Sequence, residues 1–495
     1  MIRRRQLIPS ARSRSSVLVV SAFVLIILLA PALVEAQPDS LESKQNPGDQ
    51  YLVEFKGNGL PTDLAARIAA LGGEVVNIMP ELKVAIVGNL TDDAASALRL
   101  QSGVADVTRD EFVVPAAGTR SRQSQLPSIG PVPTSAFDPT SAVFFPLQWD
   151  KRVIEADRAW QAGYLGSPDV RVAIIDSGVD PTNPDLAGLI DYSRSTSFCN
   201  SENALVQQEF PGYPAWTDIY GHGTGVASIV SSNGTNTAGI TSRTSIMAIK
   251  ALSLLPCRSS AVFSAIYYAA NQGADVINLS LGAAFPWKKS SAKGFSHYYH
   301  LAAQYATVKG VSAVVVAAGN DSLDLDHNQN EFLFLCDTPG VICVSATGSP
   351  DGGPQNLGPF LNIDSPAFYT NFGSSAIDVA APGGNAVLDP SGTSLLTVSW
   401  IWEACSRTTR TFDPNGNIVP VDYCGPFPVW GTIGTSESAP QVAGLAALLV
   451  SKFGHGKSAQ VKAAIENSAD DLGKPGVDPF YGKGRINVAR ALGLP

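Results

Sequence analysis

The chain has 495 residues, 45% of them apolar and 16% charged, with a formal charge of −9. This excludes an intrinsically disordered chain, which needs low hydrophobicity and high net charge. It also argues against a nucleic-acid partner, whose footprint on a protein is basic.

Taken in chain order, the first 36 residues read as an export address. Arg3, Arg4, Arg5, Arg12 and Arg14 form a basic leader, and an apolar run follows from Val17 to Val34. Val34-Glu35-Ala36 then places small residues where a signal peptidase reads, so cleavage is expected after Ala36 and the product is expected outside the cytoplasm, extracellular or periplasmic. Removing this segment takes five arginines and one glutamate from the −9 total and leaves −13. No other stretch is apolar and long enough to span a bilayer, so no membrane contact is expected after cleavage.

A short spacer, 37–50, precedes a small unit at 51–115. Strands are expected at 51–56, 74–79, 82–87, 104–108 and 112–114, with helices at 62–72 and 91–101, the latter opened by the capping sequence Thr91-Asp92-Asp93. The order β-α-β-β-α-β is the ferredoxin-like pattern of a small α+β domain. Residues 116–145, rich in Pro, Ser, Thr and Gln, read as an exposed linker.

A large unit at 146–495 follows. Continuous apolar runs at 170–176, 246–250, 275–281, 311–318 and 341–346 suit strands buried on both faces. Helical stretches at 222–232, 260–273, 297–309 and 436–452 alternate with them. The expected fold is a doubly wound, mainly parallel α/β sheet, with function at the carboxyl ends of its strands. Cys199, Cys257, Cys336, Cys343, Cys405 and Cys424 all lie in this unit. Six cysteines allow 15 pairings. Proximity favours Cys336 with Cys343 and Cys405 with Cys424, leaving Cys199 with Cys257. No CxxC pair points to zinc.

Four polar residues stand where chemistry is expected. Asp176 ends the first buried strand, where an ionised carboxylate is costly unless it is used. His222 opens a helix within Gly221-His222-Gly223-Thr224. Ser436 opens another, whose unpaired N–H groups suit a developing oxyanion. Asn320 follows the strand VSAVVVAAG and can donate to the same oxyanion. Together they suggest acyl transfer: His222 takes the Ser436 proton, Asp176 orients the imidazole, and Asn320 with the Ser436 N–H holds the tetrahedral oxyanion. The order Asp, His, Ser is not that of an α/β-hydrolase, and the G-x-S-x-G elbow fails at Ser438.

These segments resemble the subtilisin-like serine proteases over about 150–495: VAIIDSGVD and Asn183-Pro184-Asp185-Leu186, GHGTGVAS, VINLSLG, VVAAGN, DVAAPG, GTSESAPQVAGLAALL and the ending DLGKPGVDPFYGKGRINVARAL. The resemblance implies an endopeptidase acting on protein or peptide substrates as a monomer. The small unit then corresponds to an inhibitory propeptide removed by self-processing within roughly 115–130. It further implies that Ser280, Leu281 and Gly282 pair with substrate backbone and that Ala317, Ala318 and Gly319 line the S1 pocket. No cofactor is required for the chemistry.

Departures from the family pattern are also legible. Gly225 stands where a second histidine is common, Gln441 where a histidine follows the proline, and Glu437 where methionine usually neighbours the nucleophile. Glu437 is expected to resist oxidation and to raise the basicity of His222. The long stretch 385–433, with Trp400, Trp402, Trp430 and two cysteines, is expected as a disulfide-tied hairpin beside the primed side of the cleft. Its bland role is surface stabilisation and its functional role a substrate exosite.

Structural calcium is possible. Relatives use an Asp where Asp185 stands, but the accompanying loop, Ser231 to Ala238, is short. Asp324, Asp326, Asn328 and Asn330 alternate like cation ligands but lack the EF-hand glycine and glutamate. Two other readings compete with the endopeptidase. A carboxyl-serine peptidase is disfavoured by the GHGT motif. A catalytically inactive pseudoprotease acting as a binding protein would have lost a triad member, and none is missing.

Overall fold

A computed structural model describes residues 49–113, 120–121, 137–281, 289–327, 335–351, 360–388 and 395–495. The small unit holds four antiparallel strands, β1 (Tyr51–Phe55), β2 (Glu74–Met79), β3 (Val84–Gly88) and β4 (Val104–Arg109), in the order β2-β3-β1-β4. Helices Leu64–Ala70 and Asp92–Arg99 complete the expected β-α-β-β-α-β chain order. The Thr91 hydroxyl caps the second helix by accepting the Ala94 N–H at 3.2 Å. Leu64, Ile68, Ala95 and Leu98 pack on Val53, Phe55, Ala85 and Val87 as a core of the unit's own.

The large unit is built on seven parallel strands: β7 (Arg171–Asp176), β8 (Thr196–Ser197), β9 (Ser245–Lys250), β11 (Val276–Leu279), β12 (Ala313–Ala317), β13 (Val341–Thr347) and β14 (Val379–Pro382). Their order is β14-β13-β12-β11-β7-β9-β8. From β7 the chain adds strands on one side and then crosses to the other, so the topological switch point lies beside β7, where such sheets form their crevice. The predicted apolar runs are these strands because both faces are covered. Helix Thr435–Phe453 packs on one face with Val172, Ile174, Val315 and Val344, and helices Ser259–Asn271 and Lys289–Val308 cover the other.

Four expectations shift. Strand 112–114 does not close the small sheet. Instead β5 (Phe112–Val113) pairs antiparallel with β10 (Cys257–Arg258) of the large unit. The 116–145 stretch is not simply exposed: β6 (Arg120–Ser121) pairs with Thr432 and Gly431, and Phe144 is fully buried. Helix Lys289–Val308 begins before the expected 297, and a further helix, Asn200–Glu209, was not foreseen.

The two units share one apolar seam. Leu52, Met79, Leu82, Val84 and Ile86 join Ala261, Val262, Phe295, Tyr298 and Tyr299 in a single cluster. Asp110 caps the start of helix Ser259–Asn271, accepting the Ser260 N–H at 2.9 Å and the Gln50 amide at 2.8 Å.

The three disulfides are those favoured by proximity: Cys199–Cys257, Cys336–Cys343 and Cys405–Cys424. The insertion is more elaborate than one hairpin. It forms β15 (Asn385–Leu388) with β16 (Leu395–Ser399), and β17 (Ile401–Ala404) with β20 (Val429–Thr432). Between the latter two runs the small ladder of β18 (Arg410–Phe412) and β19 (Ile418–Pro420). Cys405–Cys424 ties the base of this excursion.

Candidate active site

The sequence-identified residues meet at the carboxyl ends of β7, β11 and β12. Asp176 closes β7 and is fully buried. Its Oδ1 accepts the Ser177 N–H at 2.6 Å and lies 2.8 Å from His222 Nδ1, the geometry that fixes an imidazole with Nε2 toward a reacting hydroxyl.

His222 is the first residue of helix His222–Val230, whose start is held by a residue the sequence reading passed over. Asp218 is buried and accepts the N–H groups of Tyr220 (3.1 Å), Gly221 (2.7 Å) and Thr224 (3.0 Å) and the hydroxyls of Ser177 (2.9 Å) and Thr224 (2.6 Å). Ser177 Oγ in turn accepts the Gly223 N–H at 2.9 Å. The unpaired donors of the helix start are thus satisfied by groups that also position Asp176. Burial pushes the Asp218 carboxyl up, with the Thr224 and Gly221 bonds opposing it. An aspartate four residues before the histidine was a legible capping signal.

Ser436 is the second residue of helix Thr435–Phe453. Its Oγ donates to the Ser280 carbonyl at 3.2 Å, while Ser280 Oγ donates to the Ser436 carbonyl at 2.7 Å and accepts from Asn278 Nδ2 at 3.0 Å. Pro440 lies inside the helix. It has no N–H for the Ser436 carbonyl four residues back, and the Ser280 hydroxyl takes that place.

Asn320 Oδ1 accepts both the N–H and the hydroxyl of Thr435 at 2.9 Å. With its oxygen committed, the amide is oriented with Nδ2 as donor. A Cβ added to Gly434 would lie 3.5 Å from Asn320 Nδ2 and 3.6 Å from the Ser436 nitrogen. Gly434 thus stands beside both nitrogens, the two donors an oxyanion hole requires, with Glu437 Oε2 as the atom nearest that Cβ at 2.6 Å. The loop before Asn320 is held by Asn371, also unforeseen, whose amide donates to the Ala318 carbonyl and accepts from Asp321 and Leu323.

Among the expected substrate contacts, Ser280, Leu281, Ala317 and Ala318 are buried at the same strand ends. The Gly319 N–H donates to Thr435 Oγ1 at 3.1 Å, and Gly282 lies outside the described residues.

The family departures have a structural reason. A Cβ at Gly225 would collide with the carboxyl of Glu403, which enters from β17 in the insertion. A histidine cannot share that space. Glu403 is buried and accepts the Trp430 indole N–H at 2.9 Å. Its signal resembled that of Asp176: an acid inside an apolar run, Ile401-Trp402-Glu403-Ala404, all buried. Glu437 is also buried, and burial pushes its carboxyl up against the pull of His222. Gln441 donates to the Pro382 carbonyl at 2.6 Å.

The calcium position does not fit a cation. Asp185 Oδ1 accepts from the Asn236 and Thr237 N–H groups and the Ser232 hydroxyl at 2.7, 2.8 and 3.2 Å, and Oδ2 accepts the Asn236 amide at 2.9 Å. The shortened loop fills with donors the oxygens that calcium would need. Asp324 pairs with His327 at 2.8 Å, and Asp326 accepts the Ser375 hydroxyl at 2.6 Å. Asn328 and Asn330 lie outside the described residues. No cluster of three His, Cys, Asp or Glu side chains suited to a metal occurs among the described residues.

A doubly wound parallel sheet with Asp, His, Ser and a side-chain amide at its carboxyl ends has the form of a serine peptidase. The subtilase family model matches residues 167–484. Thermitase of Thermoactinomyces vulgaris is 30% identical over 365 residues, covering 72% of this chain and 99% of that protein. The nisin leader peptide-processing serine protease NisP of Lactococcus lactis is 33% identical over 257 residues, 47% of this chain and 36% of that protein. The crystal structure of the epidermin leader peptide processing serine protease EpiP from Staphylococcus aureus superposes with a TM-score of 0.65. It covers 90% of this chain and 97% of that one at 22% identity, a likeness of fold. The chain belongs to the subtilase family and is a subtilisin-like serine peptidase, a hydrolase of peptide bonds.

Proposed function

We propose that the protein is a secreted serine endopeptidase made as a self-processing zymogen, with Ser436 as nucleophile, His222 as general base, Asp176 as its orienting carboxylate and Asn320 as oxyanion donor. The observation that carries this reading is the 2.8 Å bond from His222 Nδ1 to Asp176, together with a helix-start serine whose backbone nitrogen and the Asn320 amide nitrogen both lie beside Gly434. In turnover the Ser436 proton passes to His222 Nε2 instead of resting on the Ser280 carbonyl, and the oxygen attacks the substrate carbonyl. The resulting oxyanion takes hydrogen bonds from Asn320 Nδ2 and the Ser436 N–H. His222 then protonates the leaving amine, and water releases the acyl group by the same steps in reverse order. Ser280 and Leu281 on one side and Ala317, Ala318 and Gly319 on the other receive an extended peptide. No cofactor takes part. The working unit is a monomer outside the cytoplasm, and no described helix is long and apolar enough to cross a membrane.

Residues 51–113 act as the intramolecular inhibitor. Two observations support this: the seam with the large unit is apolar, and the chain pairs with the large unit on both sides of a short segment. Phe112–Val113 pairs with β10, and Arg120–Ser121 pairs with β20, the strand that leads into Ser436. On this reading the bond cut in maturation lies between 113 and 120, overlapping the start of the expected 115–130 span, and residues 114–119 are outside those described.

Expression of the wild type and of Ser436→Ala, followed by amino-terminal sequencing and casein hydrolysis, tests the reading. The wild type should begin between 114 and 120 and digest casein. The variant should keep residues 37–113 and digest nothing. A mature wild type without activity would make the protein a binding module, and a start elsewhere would overturn the threading.

A further inference from the structure

Two buried glutamates flank the catalytic helix starts, and together they are poorly supplied with hydrogen-bond donors. Glu403 comes from the insertion and sits against Gly225, three residues after His222 on the same helix and so on the same face. Its Oε1 has the Trp430 N–H, while its Oε2 has no hydrogen-bond partner among the described residues. Glu437 follows Ser436. Its Oε2 would lie 2.6 Å from a Cβ on Gly434, and that oxygen too has no hydrogen-bond partner among the described residues.

The groups acting on the pair come from four directions. His222, from its helix, pulls both carboxyls down, and Asp176, from β7, pushes Glu437 up. The Trp430 indole and Thr432 hydroxyl approach from β20. Tyr369 lies near Glu437, but its hydroxyl is committed to the Gly383 and Gly384 carbonyls at 2.8 and 2.9 Å. Burial drives the Glu403 carboxyl well up, Glu437 adds to it, and His222 opposes it. Two buried carboxylates acting on each other cannot both ionise without donors, and one retained proton supplies the missing hydrogen bond.

We propose that Glu403 and Glu437 are positioning residues that together retain one proton and present a single negative charge to His222, steadying its imidazolium form during turnover. The insertion is then neither an exosite nor surface trim. It delivers the second half of this pair, and Gly225 is the space that admits it. The proposal rests on His222 being the general base.

The test is the pH dependence of kcat/KM for the mature enzyme and three variants. In Glu403→Gln or Glu437→Gln the amide replaces the protonated partner and donates to the remaining carboxylate, so one charge survives and the acid limb stays where the wild type has it. In the double variant the charge is gone and imidazolium is less stable. The acid limb then moves to lower pH by about one unit. An unmoved limb in the double variant, or equal shifts in both single variants, overturns the shared proton. Infrared spectroscopy of the full-length Ser436→Ala chain gives a readout independent of activity and of the glutamate variants' folding. A protonated-carboxyl band at pH 7, assigned to glutamate by isotope labelling and lost on adding either glutamine substitution, is expected. Its absence overturns the pair. An inactive wild type would sink the triad reading while leaving the infrared result to judge the glutamates.

Discussion

Asp218 and Glu403 are both buried carboxyls against the His222 helix, yet they are provided for in opposite ways. Asp218 sits four residues before His222 and collects five donors from its own loop, the helix start and Ser177. Glu403 arrives from a distant insertion and has the Trp430 N–H. The first is a structural clamp whose negative charge is absorbed by local dipoles. The second is left wanting a proton. Burial alone does not decide what an acid does; the donor count around it does.

That contrast can be broken from its strong side first. Asp218→Ala strands five donors at the start of the His222 helix and should cost about 3–5 kcal/mol of stability, measured by denaturant unfolding of the Ser436→Ala chain. Activity should fall with it, because His222 loses its anchor. A loss under 1 kcal/mol would mean that the cap is incidental.

On the Glu403 side, Cys405→Ser with Cys424→Ser releases a loop with a sequence separation of 19 and should destabilise the insertion by about 3 kcal/mol. Limited proteolysis would report it as new cuts between 405 and 424. Unchanged resistance would show that β17 and β20 hold Glu403 without the disulfide.

Gly225→Ala should cost about 1–3 kcal/mol by overpacking against Glu403. Adding Glu403→Ala should recover part of that loss. Additive costs in the double variant would separate Gly225 from Glu403.

Asp110, at the seam between the two units, is an intermediate case. Burial pushes its carboxyl up to about 6 despite its bonds to Ser260 and Gln50. The docked value lies above the free one, so its contribution to docking is fully present below the free value near 3.8 and is lost as pH rises through about 6. Between pH 5 and 7.5 this loosens the seam by about 1 kcal/mol. In the full-length Ser436→Ala chain, hydrogen exchange at the start of helix Ser259–Asn271 should quicken over that window beyond its intrinsic pH dependence. Asp110→Asn should abolish the extra rise, and an unaltered rise in that variant would acquit Asp110.

Sequence legibility followed the same physics. The parallel strands could be read because burial on both faces leaves continuous apolar runs, and Asp176 stood out against one of them. His222, Ser436 and Asn320 were legible from their places at helix starts and strand ends. Phe112–Val113 pairs with β10 and not with the small sheet, and two apolar residues in sequence carry no information about which partner strand they take. Helix Asn200–Glu209 was missed because it has no apolar stripe: its buried side chains are Glu202 and Val206, with Glu202 paired to Lys250 beneath it. Glu403 was missed because the space that explains it is the absent side chain of Gly225, far away in sequence.

The central claim is that one hydroxyl, Ser436, reacts and that His222 activates it. Labelling the mature enzyme with a fluorophosphonate and mapping the adduct by mass spectrometry tests this most directly. The account predicts a single adduct on the peptide containing Ser436, lost in Ser436→Ala and slowed at least about a thousandfold in His222→Ala. An adduct on another residue, or equal labelling without His222, would contradict it.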